Sequence, residues 1–317
     1  MKMAKDLFKP IETKIYKTGQ TRGADDDVIF QNRVARNSTV LIPYRDFESY
    51  HRMIQNGFQF EKGYIVLIRP EDFFEPSVAN KLKKFGLRLG ANMLVFYETR
   101  EQWKNYPILK SWKVATSRTA PLKGQYVARV PATTAKGEGK IIKGFNQTKL
   151  KGAGIRVYEY ADAETIKLCK LQLEYLFWSC YDIEVFLNSA DKDGKLRKRK
   201  EATILEAEKS NVANKEQLLK ARITDSMGFT ICPLCLQRIS AKNFATKIAQ
   251  AEGREVPDLT VTDVSLFHIN ELRTGQFNHC LYNLGWGHHH CNVTIADRGV
   301  EATLEWMLKI VRDNGMI

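Results

Sequence analysis

Acidic side chains are scarce in this 317-residue chain. Only 36 Asp and Glu stand against 49 Lys and Arg, for a formal net charge of +13. Such an excess suits a polyanionic partner. Long apolar runs are missing too. No stretch approaches the ~20 apolar residues that span a bilayer. Met1 to Pro10 has no apolar signal core, so a cytoplasmic protein without a membrane segment is expected. There is no internal repeat, no Walker-type phosphate loop and no glycine fingerprint for dinucleotides, which removes those classes. Cysteine is also sparse, with six in all. In a reducing compartment their spacing favours metal thiolates over disulfides.

Two ligand pairs stand out among what is present. Cys232-Pro-Leu-Cys235 and His288-His-His-Cys291 each hold two soft or borderline ligands across a two-residue gap. One tight turn presents both members of such a pair, and two pairs complete the tetrahedron that zinc prefers. The stretch between them, 236–287, is long for a zinc ribbon and must hold structure of its own. Cys280 has no partner at this spacing and reads as a small core residue. His289 and His290 break the gap to Cys291 and read as exposed, phosphate-facing side chains. No thioredoxin-like pattern surrounds Cys232 and Cys235, which argues against a redox pair.

Inside that stretch, 259–267 is rich in Val, Thr and Leu, which predicts a strand delivering His268 at its end. A loop with Gly275 follows, then a short apolar run at 281–286. From Cys291 the pattern turns helical through Ile295, Leu304, Met307, Leu308 and Val311, with a break near Gly299. At these residues the chain resembles the HNH, or ββα-metal, nucleases. Their zinc-bearing members run close to Asp-His-Ile, a glycine-containing loop, then Asn-Leu-x-x-x-Cys-x-x-Cys-Asn. His268-Ile269 matches the first step, Asn283-Leu284 the second, and His288-x-x-Cys291-Asn292 the third with one Cys replaced by His.

The resemblance covers the last third of the chain and implies a zinc-stapled ββα-metal domain. It implies that His268 is the general base of phosphodiester hydrolysis and that Asn283 pins the loop behind it. Asn292 would hold a catalytic divalent ion such as magnesium, and the zinc on Cys232, Cys235, His288 and Cys291 would be structural. One position departs from the pattern. Asp or His usually precedes the general base, and here Phe267 stands there and cannot ligate. Asp263, Glu271 and Asp297 are the acids at hand, and the second ligand stays open. The chain carries no PD-(D/E)xK nuclease core.

Upstream, strands at 38–42, 63–68 and 92–97 alternate with helices at 44–55 and 77–85, as in a layered mixed α/β domain. Residues 113–158 read as strands and loops rich in Gly and Lys. The basic segments 14–23 and 136–151 are assigned to DNA contact, with Gln20, Arg22, Gln31, Asn32, Arg33 and Arg36 as candidate DNA-binding residues. Ile166, Cys169, Leu173, Leu176, Cys180, Ile183 and Leu187 form a seam along one predicted helix, 161–188, either a core helix or a dimer seam. A basic turn at 191–200 leads into a polar helix, 200–222. Asp191-Lys-Asp-Gly194 is too cationic in its surroundings for a calcium loop.

The expected architecture is therefore α+β and multidomain: a mixed α/β DNA-recognition domain at 1–160, a helical segment at 161–226 and a nuclease domain at 227–317. Residues 14–25 and 37–43 are also similar to the BstXI-like type II restriction endonucleases. That resemblance implies a homodimer cutting both strands of double-stranded DNA at an interrupted palindrome. Two other readings stay open. One is a monomeric homing or nicking HNH endonuclease; the other is a non-catalytic zinc DNA-binding protein, kept alive by Phe267.

Overall fold

The computed structural model describes residues 7–16, 39–115, 121–128, 155–249, 257–296 and 298–317. The chain divides into two compact units, Asn37–Tyr160 and a second that joins Met1–Arg36 to Ala161–Ile317. Helix α1 (Lys9–Tyr16) therefore belongs with the C-terminal unit. The reason is its apolar face: Ile11 and Ile15 are fully buried among Cys169, Leu173 and Leu176.

In the first unit β1 (Val40–Pro43) runs into α2 (Tyr44–Gln55). Strand β2 (Tyr64–Ile68) precedes α3 (Pro70–Phe73) and α4 (Val78–Lys84), and β3 (Met93–Tyr97) precedes α5 (Arg100–Asn105). Strands β4 (Tyr126–Ala128) and β5 (Ile155–Arg156) complete a sheet of order β4-β3-β2-β1-β5. Every pairing in it is parallel. Parallel neighbours cannot be joined by a hairpin, so the connections cross over and helices cover the sheet. That is why β2 and β3 read as unbroken apolar runs, with Val66, Ile68, Leu94 and Val95 wholly buried. Local signals set the helix starts. Pro70 opens α3, and Thr99 caps α5 through a reciprocal box with Gln102. The expected strand and helix alternation over 38–97 is the observed one.

The second unit continues with α6 (Ala163–Trp178), α7 (Ile183–Ala190), α8 (Lys195–Lys209) and α9 (Lys215–Lys220). Two antiparallel pairs follow, β6 (Lys247–Ala249) with β7 (Pro257–Thr262) and β8 (Val264–His268) with β9 (Leu284–His288). Helices α10 (His289–Ile295) and α11 (Val300–Asp313) end the chain.

Three sequence expectations are corrected here, and the apolar seam takes the core reading of its two. The helix expected over 161–188 is two helices. Ser179 back-bonds to the Tyr175 carbonyl, its own carbonyl accepts from Thr230 N, and Asp182 accepts from Ser240 Oγ and Ala241 N. The Thr230 bond takes the Ser179 carbonyl that a continuing helix would need. The apolar seam lies inside this unit, with Ile166, Cys169, Leu173, Leu176, Cys180, Ile183 and Leu187 all buried, so it offers no dimer surface. The polar helix begins early, at Lys195, and breaks where Asn211 turns left-handed (φ 54°) and Asn214 caps α9. The strand expected over 259–267 is two strands, divided at Asp263.

A buried carboxylate ties three of these helices together. Glu174 accepts from Arg199 Nε and Nη2 (2.6 Å each), Thr203 Oγ1 (2.7 Å), Tyr16 Oη (2.5 Å) and Trp178 Nε1 (3.3 Å). Burial pushes this carboxyl up, but the Arg199 guanidinium, with Tyr16 and Thr203, holds it below the usual range.

Lys14, expected in a DNA-facing segment, is buried instead. Its Nζ donates to Thr262 Oγ1 (2.8 Å) and the Val264 carbonyl (2.6 Å), fastening α1 to the start of β8. Burial lowers its pKa to about 7. Between that value and the ordinary lysine range, the unfolded chain keeps a proton that the folded chain has released. Stability therefore rises with pH across this window, by at most about 1.4 kcal/mol per pH unit. Lys14→Met is expected to remove that rise, as measured by denaturant midpoints at pH 7 and pH 9.5. Equal rises in both proteins would contradict the assignment.

The rest of 14–23 beyond Tyr16, all of 136–151, and Gln20, Arg22, Gln31, Asn32, Arg33 and Arg36 lie outside the described residues. Among the described residues no helix is long and apolar enough to cross a membrane.

Candidate metal centre and histidine pair

Cys232 and Cys235 lie at the turn of a short ribbon in which Ile231 pairs with Arg238 and Thr224 with Thr230. Cys232 N donates to the Gln237 carbonyl, and Leu236 N donates to the Cys232 carbonyl, both at 2.9 Å. Leu236 adopts a left-handed φ of 60°, which closes the knuckle. His288 ends β9 and Cys291 lies in the first turn of α10. The four ligand atoms of Cys232, Cys235, His288 and Cys291 lie within 4.8 Å of one another, with Cys235 Sγ 3.3 Å from His288 Nδ1. Ligands on a tetrahedral zinc stand about 3.4–3.8 Å apart, so the donor set fits that ion in chemistry and spacing.

The electrostatics agree with that fit. Burial pushes the Cys291 thiol well up, and the charge of Cys232 and Cys235 pushes it further. Burial and Cys232 also raise Cys235. Against its own burial, Cys232 is drawn down to about 6 by hydrogen bonds from His288 and from backbone N–H groups. Thiols raised in this way lose their protons together only where a cation stands between them.

Strands β8 and β9 pair in a single register, Val264 opposite His288 and His268 opposite Leu284, and α10 packs back on both. Helix α6 holds β9 from behind. Gln172 Nε2 donates to the Leu284 carbonyl (2.6 Å), Gln172 Oε1 accepts from Tyr282 N (2.9 Å), and Trp286 Nε1 donates to the Leu173 carbonyl (2.8 Å). Phe267 is fully buried against Gly287, where an added Cβ would stand 2.3 Å from the Phe267 ring. The residue in the usual place of a second metal ligand is thus a core side chain, and a glycine makes room for it.

His268 is half-buried at the end of β8. Its Nε2 lies 3.1 Å from Nδ1 of His279, whose side chain is wholly buried, and the two ring planes meet at 48°. Sequence reasoning missed His279. The signal was a second imidazole inside the loop, four residues before Asn283. Buried Asn283 ties the same loop at both ends. Its Oδ1 accepts from Asn270 N (2.6 Å), and its Nδ2 donates to the carbonyls of Asn270 (3.1 Å) and Asn278 (2.5 Å).

Asn292 is half-buried on α10. Of the acids considered as a further ligand, Glu271 is ion-paired with Arg273. Asp263 sits beyond the opposite end of β8 from His268, its carboxyl raised by burial against the pull of His288, His290 and His289. Asp297 lies outside the described residues. His290 is exposed, its ring parallel to that of His288, while His289 and Cys280 are half-buried.

The family model for the BstXI restriction endonuclease matches residues 13–289. The chain belongs to the BstXI restriction endonuclease family. The matched range takes in the parallel sheet, the helices that bury the seam, Cys232, Cys235, the histidine pair and Asn283. Cys291 and Asn292 of this BstXI-family chain lie just past its end. No curated protein matches it. One solved chain, described as the crystal structure of a type II restriction endonuclease, is 14% identical with a TM-score of 0.27. That likeness covers 50% of the present chain and 59% of the other, less than two thirds of its length.

Proposed function

We propose that this BstXI-family chain is a site-specific type II restriction endonuclease that hydrolyses double-stranded DNA with a zinc-stapled ββα-metal domain. The observation that carries the reading is the β8–β9 hairpin leading into α10, with the Cys3His cluster at one end and His268 at the other. Imidazole suits proton transfer near neutral pH, so His268 takes a proton from water. The resulting hydroxide attacks phosphorus in line, the bond to the 3′ oxygen breaks, and that oxygen takes a proton from solvent. Asn283 keeps the loop at 270–278 folded against the end of β8. Asn292 would offer an amide oxygen to a divalent ion such as magnesium. Such an ion supplies Lewis-acid stabilisation of the phosphate and the leaving oxygen. The zinc on Cys232, Cys235, His288 and Cys291 is structural.

In the same reading, residues 1–160 provide most of the DNA contacts, including those from Gln20, Arg22, Gln31, Asn32, Arg33 and Arg36. Helical residues 161–226 pack with the nuclease part at 227–317 in one unit. Two copies act together in the cytoplasm as part of a restriction system, one on each strand of an interrupted palindrome. Incubation with supercoiled plasmid and magnesium tests this. Linear product without accumulated nicked circles is expected. Nicked circles alone would favour a monomeric nicking enzyme, and binding without cleavage a zinc DNA-binding protein. Affinity for duplex DNA should also fall steeply with salt, with a log–log slope on the order of −4 or steeper between 50 and 200 mM. A flat salt response, measured by fluorescence anisotropy, would contradict phosphate contacts by the cationic excess.

A further inference from the structure

We infer that His279 is a positioning residue that fixes the tautomer of His268, so that Nδ1 of His268 is the atom that takes the proton. The inference rests on the reading of His268 as general base. One proton lies between Nε2 of His268 and Nδ1 of His279, 3.1 Å apart, and it has two placements. With the proton on His279 Nδ1, the lone pair of His268 Nε2 is consumed as an acceptor. A neutral His268 then carries its own proton on Nδ1 and has no lone pair for water. With the proton on His268 Nε2, His279 Nδ1 accepts it, and His268 Nδ1 carries a lone pair. Only the second placement makes His268 a base.

The surroundings favour a fixed geometry. His279 has no exposed surface, so its ring is held by packing. Its neighbour Asn278 is bonded through its carbonyl to Asn283 and through its amide to the Glu271 carbonyl (2.7 Å), so the loop cannot drift from the end of β8. The rings are tilted at 48° rather than stacked, which suits a nitrogen-to-nitrogen hydrogen bond in preference to a face contact. When water gives its proton to His268 Nδ1, the imidazolium formed is still donating through Nε2 to His279 Nδ1. That bond strengthens as charge develops, because charge-assisted hydrogen bonds exceed neutral ones.

The test uses the full chain with magnesium and duplex DNA. His279→Leu keeps bulk but offers no acceptor, and His279→Asn places an amide oxygen near the position of Nδ1. His279→Leu should lower kcat by about 10–100-fold with KM within about twofold, and His279→Asn should recover most of that loss. A His279→Leu enzyme at the wild-type rate, or an Asn variant no faster than the Leu variant while both stay folded, would overturn the inference. If neither variant folds, ring 15N chemical shifts of His268 in the wild-type protein decide. Protonated Nε2 with bare Nδ1 supports the assignment, and the reverse overturns it. An inactive His268→Ala beside a fully active His279→Leu removes this inference alone, whereas an active His268→Ala removes the base as well.

Discussion

His268→Ala is expected to lower the rate of DNA cleavage by about 10²–10⁴-fold, the usual worth of a general base, while leaving the affinity for duplex DNA nearly unchanged. The two effects separate because of where the side chain sits. His268 is half-buried at the end of β8, and its strand is held by backbone pairing with Leu284 rather than by the imidazole. Removing the ring costs buried His279 one hydrogen-bond partner, a loss of about 1–3 kcal/mol that a folded domain tolerates. Phosphate contacts made elsewhere on a chain of net charge +13 are untouched. Single-turnover rates and equilibrium binding, measured on the same preparation, check both halves. Cleavage at the wild-type rate would remove His268 from the mechanism. Lost binding together with lost cleavage would place it at the DNA contact surface instead.

Stripping zinc from a Cys232, Cys235, His288 and Cys291 site is expected to destabilise the C-terminal unit. Cys232 and Cys235 come from the ribbon, and His288 and Cys291 from the end of β9 and the start of α10, so one ion bound there would join segments far apart in sequence. Without it, three thiols and an imidazole crowd together with nothing between them, and the free energy of metal binding is lost from folding. A loss of ~5 kcal/mol would lower the melting temperature by on the order of 10 °C. Residues 37–160 contain no cysteine, so the transition of the parallel sheet is expected to stay in place. Zinc analysis should return about one ion per chain, and Cys291→Ser should reproduce the effect of a chelator. Identical melting curves with and without chelator would contradict a structural zinc.

Several of these elements were legible in the residues. Strands β2 and β3 are unbroken apolar runs between helical stretches, a pattern that buried parallel strands impose. The Cys232, Cys235, His288 and Cys291 cluster could be read because knuckle spacing is local. What could not be read depends on distant partners. Helix α6 stops at Trp178 because Thr230, some fifty positions on, takes up the Ser179 carbonyl. Lys14 looks like a solvent cation in sequence, and only the fold shows it under β8. His279 carries no spacing signal of its own; its meaning comes from one contact with His268. Phe267 reads as a missing ligand in sequence and, in the fold, as a core residue packed on Gly287.

The measurement closest to the central claim is digestion of large, unmodified phage DNA with magnesium, followed by sequencing of the fragment ends. Discrete fragments from the wild-type protein alone, with cut positions symmetric about one recurring sequence, are the predicted result. A chain that binds this DNA yet leaves it intact across several divalent metals would contradict the assignment of a restriction nuclease.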